Sequence, residues 1–137
     1  MTWNWRYRSQ LLLGLIVLVP LGYSIRFAQG LLPEWFRNAW GNLTYETFWI
    51  FFLLLLVPKL LPRGAALTVF ILTCLIEVLQ LWQDPWLVNL RNTTIGGLIL
   101  GHGFTWEDFP TYAIGSLIGW WLASLIYQGS RPRLPEE

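Results

Sequence analysis

The feature that most constrains this chain is apolar length. Four stretches, at about residues 9–27, 43–58, 65–82 and 111–127, are apolar almost without interruption. A helix needs roughly 20 such residues to cross a bilayer. Lipid offers no partner to a free backbone N–H or C=O, so runs of this kind satisfy their own hydrogen bonds by becoming helices. Charged residues make up only 12% of the chain and hydrophobic residues 55%, where soluble domains carry about a quarter charged. The expected fold is an all-α integral membrane protein, four transmembrane helices in a compact bundle, with residues 1–137 as a single membrane domain.

The breaks between runs carry the remaining information. Met1 to Arg8 is basic and aromatic, and the run behind it lacks a small-x-small cleavage site before Arg26, so it reads as a retained first span rather than a cleaved signal. An amphipathic connector over 28–42 follows, and Glu46 is expected near the outer end of the second span. Lys59 to Gly64 is a tight basic turn. The longest break, 83–110, contains an apolar piece too short to cross and punctuated by Gly96, Gly97, Gly101 and Gly103. It is expected to form a re-entrant or interfacial segment at about 90–104. Residues 128–137 read as a short cytoplasmic tail.

Basic residues set the expected orientation. Arg6, Arg8, Lys59, Arg63, Arg131 and Arg133 fall on the side of the two termini, against Arg26, Arg37 and Arg91 on the other. By the positive-inside rule both termini are cytoplasmic, in a bacterial inner (cytoplasmic) membrane or its equivalent. A net charge of +1 gives no basic face for nucleic acid. Cys74 and His102 are the single residues of their types, which leaves no metal-ligand pattern and no implied cofactor.

Against this apolar background a polar stripe stands out. Thr73, Glu77, Gln80 and Asp84 recur at steps of four, three and four, one face of a helix. Asp108, Tyr112, Gly115, Gly119 and Ala123 share a face of the last helix, and the small residues among them let two helices approach closely. Gly97 and Gly101 are expected either to pack helices or to supply turns of the interrupted segment. A carboxylate in a membrane-length helix is costly and is read by default as functional, with a partner to be named. Arg91 is the expected partner of both acids. The candidate ligand-binding pocket is therefore Glu77, Gln80, Arg91, Thr93, Asp108 and Tyr112, in the outer half of the membrane. The same cluster can instead neutralise itself and fix helix register.

The segments Leu75-Ile-Glu77-Val-Leu-Gln80-Leu-Trp-Gln-Asp-Pro85-Trp86, Arg91-Asn-Thr93-Thr-Ile-Gly-Gly97-Leu-Ile-Leu-Gly101-His-Gly-Phe104 and Asp108-xxx-Tyr112-xx-Gly115 resemble the signature of a small bacterial membrane family, domain of unknown function 2809. More distantly, Glu77, Gln80, Arg91, Asp108 and Gly115 match the VanZ-like pattern, with Tyr112 where that pattern has Asn. The resemblance implies the membrane fold and the pocket, and no activity. The expected function is a non-enzymatic module binding a membrane lipid or cell-envelope head group. The alternatives are an accessory subunit of a larger membrane complex or a homo-oligomer, and a membrane enzyme with Glu77 or Asp108 as general base.

Overall fold

The computed structural model describes residues 2–100 and 104–130. Six α-helices follow in order: α1 (Thr2–Ser24), α2 (Glu34–Leu56), α3 (Pro62–Leu79), α4 (Pro85–Arg91), α5 (Thr94–Leu100) and α6 (Asp108–Gly129), with a short 3-10 turn, Ile25–Ala28, closing α1. Three of them, α2, α3 and α6, are long and apolar enough to cross a membrane. α1 is as long as α2 but less apolar, with Arg6, Arg8 and Gln10 in its first half. The fold class is all-α, as expected. Gly101, His102, Gly103 and the tail from Arg131 lie outside the described residues.

Local sequence explains where the helices begin. Proline opens both α3 and α4, where a missing N–H costs nothing and a fixed φ suits the first turn. Gly30 has φ 84, a left-handed conformation that reverses the chain between α1 and α2. α2 starts well before the expected position 43. Residues 34–42 continue the helical turn as an amphipathic extension, so the connector is largely helix. Glu46 consequently lies in the middle of α2 and not near its end.

The four long helices pack in a bundle in which α6 lies chiefly on α2, with α1 on the other flank of α2 and α3 on α6. Glycine makes the α2–α6 approach possible. A Cβ at Gly115 would stand 2.9 Å from Glu46 Cβ and 3.1 Å from the Leu43 backbone, and one at Gly119 would stand 2.7 Å from Ile50 Cδ1. This is the small-residue seam, and it is α2 that it meets.

The bundle has two unlike ends. At one, Tyr7, Leu11, Leu15, Ile50, Leu54, Ala65, Val69 and Ala123 form an apolar core. Arg8 reaches the Leu55 carbonyl there, and Ser130 donates to Gln10 Oε1 at 2.9 Å. At the other, polar side chains fill the interior: Thr73, Glu77, Gln80 and Arg91 are all buried, and the outward faces of α3 and α6 carry exposed Leu67, Ile71, Leu72, Leu75, Leu117 and Ile118. Apolar outside with polar inside is the arrangement lipid favours, because the polar groups then find each other.

Candidate functional site

The polar end is built around a break in the helical backbone. α3 stops at Leu79, and α4 and α5 are each only seven residues long. Each helix end leaves carbonyls or N–H groups without intrahelical partners, and in an apolar surrounding side chains must supply them. Arg91 closes the end of α3: its Nη2 donates to the Leu79 carbonyl at 2.6 Å and its Nη1 to the Gln80 carbonyl at 3.4 Å. The guanidinium thereby places positive charge at the negative end of the α3 dipole. Tyr45 and Gln80 close the end of α5, the Tyr45 hydroxyl donating to the Ile99 carbonyl at 2.9 Å and Gln80 Nε2 to that of Leu100 at 2.5 Å.

The second half of the site holds the acids. Glu77 Oε1 accepts the Thr105 backbone N–H at 2.8 Å, and Oε2 accepts the Tyr112 hydroxyl at 3.4 Å. Asp108 Oδ2 accepts from Thr105 Oγ1 at 2.6 Å and Oδ1 from Asn42 Nδ2 at 2.9 Å. Asn42 Nδ2 also donates to Thr111 Oγ1 at 2.8 Å. Glu77, Thr105, Asp108, Asn42, Thr111 and Tyr112 therefore make one network joining α2, α3 and the start of α6. The expected ion pairing of Arg91 with Glu77 and Asp108 does not occur among the described residues. Arg91 is 5% exposed, and the hydrogen bonds recorded for it go to backbone. Four neutral donors, the Thr105 N–H and hydroxyl, the Tyr112 hydroxyl and the Asn42 amide, serve the two carboxylates, which leaves the arginine to the carbonyls at the end of α3.

Thr93 also stands apart. It is exposed; its hydroxyl donates to the Leu90 carbonyl at 2.6 Å and accepts the Gly96 N–H at 3.0 Å, the hydrogen bond of a helix N-cap. Gly96 is a tight position of this segment: a Cβ there would collide with the Leu90 carbonyl oxygen. Gly101 lies outside the described residues. Asp84 precedes α4 without a side-chain cap.

Two concavities adjoin the network. A cavity of about 150 Å³ is lined by Asn42, Tyr45, Thr73, Gln80 and Tyr112 together with Gly41, Ile76 and the end of α5. An apolar groove of about 430 Å³ runs beside it between α1, α2 and α5, lined by Leu18, Val19, Phe48, Trp49 and Ile95. Gly41, Tyr45, Leu98 and Ile99 line both. Gln80 is 5% exposed, and its Oε1 is buried without a hydrogen-bond partner.

Sequence reasoning passed over Asn42, Tyr45 and Thr105, and the depth of Glu46. Glu46 is wholly buried, with Oε2 accepting from Ser116 Oγ at 2.7 Å and Oε1 unpartnered. The available signal was spacing: Ser116 follows Tyr112 by one helical turn, and Asn42, Tyr45 and Glu46 share the α2 face turned to α6.

Apolar helices with an inward polar end define a membrane-type protein. No solved structure matches the chain. Residues 31–116, from the approach to α2 into α6, match the family described as Protein of unknown function (DUF2809), and the chain belongs to that family. The matched span includes Glu46, Glu77, Gln80, Arg91, Asp108 and Tyr112 and leaves α1 outside.

Proposed function

We propose that this protein is a non-enzymatic module of the bacterial cytoplasmic membrane that binds the head group of a lipid or lipid-linked envelope molecule. The observation that carries this reading is the polar cavity opening beside an apolar groove, with Gln80, whose buried amide oxygen has no partner, among the residues lining the cavity. A native protein leaves few buried acceptors unsatisfied. A site with both a polar and an apolar compartment has the shape of an amphiphile. In this reading α1 is the fourth span, α4 and α5 form the re-entrant segment, both termini are cytoplasmic and the cavity sits in the outer leaflet. The VanZ-like resemblance of Glu77, Gln80, Arg91 and Asp108 points in the same direction.

A catalytic role fits less well. Both oxygens of Glu77 and both of Asp108 already accept hydrogen bonds, and neither residue lines the cavity. One observation favours the accessory-subunit reading: Trp35, Trp82, Trp86 and Trp106 are all exposed near the polar end, and indole rings suit both a membrane interface and a partner surface.

Native mass spectrometry of gently extracted protein separates these readings, with Gly41→Leu as the comparison. Gly41 lines cavity and groove, and a Cβ there meets nothing within 4 Å, so a larger side chain fills the junction without pressing on the fold. A discrete lipid-sized mass carried by the parent and lost in Gly41→Leu is the expected result. A stoichiometric protein partner with no small molecule sinks the lipid reading and favours the accessory subunit.

A further inference from the structure

The chemistry left over in the cavity selects among head groups. Tyr45 gives its hydroxyl hydrogen to Ile99, Tyr112 to Glu77 and Thr73 to the Val69 and Phe70 carbonyls of its own helix. Asn42 directs its amide nitrogen to Asp108 and Thr111. What these side chains still offer an occupant is mostly lone pairs, on the Tyr112 and Thr73 hydroxyl oxygens and on Gln80 Oε1, the Tyr45 oxygen already meeting the Trp49 indole; a second amide hydrogen of Gln80 is the exception. A wall of acceptors recognises a donor. It disfavours a phosphate or carboxylate, which would bring more lone pairs and a negative charge with no cation to meet it. Among the described residues no Arg or Lys lines the cavity, and Arg91 is held at the α3 carbonyls. An ammonium would need direct contact with a carboxylate to offset its desolvation, and Glu77 and Asp108 stand behind Tyr112 and Asn42 rather than on the wall.

We infer that the occupant is an acyl lipid whose head ends in an uncharged hydroxyl, of the diacylglycerol kind. The hydroxyl enters the cavity as donor to the Gln80 amide oxygen, and one acyl chain lies along the α1–α2–α5 groove. At about 150 Å³, the cavity has room for about five waters at ~30 Å³ each, enough for a glycerol-sized end group and small for a sugar chain. The inference rests on the lipid-binding reading above and names its head-group class.

The test uses delipidated full-length protein and native mass spectrometry with three chain-matched probes: dioleoylglycerol, dioleoyl phosphatidic acid and dioleoyl phosphatidylethanolamine. Dioleoylglycerol is expected to be retained about tenfold or more over phosphatidic acid, because the acceptor-lined site offers no cation to offset burial of the phosphate's negative charge. Retention should fall severalfold in Thr73→Val, which removes one acceptor, at some cost in melting temperature because the Thr73 hydroxyl also meets the buried Glu46 carboxyl. Equal or better retention of phosphatidic acid overturns the hydroxyl assignment, as does retention of phosphatidylethanolamine alone. Those outcomes leave the lipid-binding reading standing. Failure of all three probes to bind, or binding that Gly41→Leu does not alter, overturns that reading itself.

Discussion

Arg91 is the residue at which expectation and structure part most clearly. A lone arginine beside two acids reads as their counter-ion, because an ion pair is visible in composition and the end of a helix is not. The buried guanidinium instead closes α3 at the carbonyls of Leu79 and Gln80, which no nearby water could replace in lipid. Arg91→Ala should then act on stability. Loss of two charge-assisted hydrogen bonds to buried carbonyls costs about 2–3 kcal/mol, read as a lower melting temperature in detergent, and Arg91→Lys should recover part of it by reaching one carbonyl. An Arg91→Ala protein that melts like the parent and has lost a bound lipid would return the arginine to the ligand site. Glu46 was misplaced for a related reason. Its depth depends on where α2 begins, and residues 34–42 are too polar for an apolar run to reveal the helix they extend.

At the level of elements, helices and seams were readable and the interrupted segment was readable only as an interruption. Gly115, Gly119 and Ala123 recur at four-residue steps, which is visible in any apolar helix; that they meet α2 at Glu46, Thr47 and Ile50 needed the structure. Of the polar stripe expected from period, Thr73, Glu77 and Gln80 are buried, whereas Asp84 lies beyond the end of α3 and is half-buried. The caps that Tyr45 and Gln80 give α5 were not, since they join residues far apart in the chain. The glycines give a graded test of this account. Gly115→Ala drives a Cβ against Glu46 Cβ and the Leu43 backbone, and overpacking of this kind costs about 1–3 kcal/mol. Gly96→Ala collides with the Leu90 carbonyl and should loosen α4 from α5. Gly41→Ala, which meets open space, should melt like the parent. Thermal unfolding of the three variants checks the order; a Gly41→Ala protein as damaged as Gly115→Ala would refute the packing described for α2.

For the whole molecule, asymmetry between the two ends is what a membrane can read. Arg8 and the Lys59–Arg63 turn lie at the end with the apolar core, where Arg8 reaches Leu55. The acids Glu77 and Asp108 lie at the other, within the network anchored by Thr105. Basic residues are retained on the cytoplasmic side during insertion, so the polar end, with its cavity, should face outward. Trp106 offers the handle, being exposed between α5 and α6. In a protein with Cys74 replaced by Ala, a Trp106→Cys thiol should react with a membrane-impermeant maleimide added to intact spheroplasts, while a thiol placed at Lys59 should react only after permeabilisation. Both sites lie in short loops at opposite ends of the bundle, so each controls for the other. The reverse pattern would put the cavity in the inner leaflet, where its lipid would have to come from the cytoplasmic face; labelling of both sites in intact spheroplasts would contradict a single insertion topology.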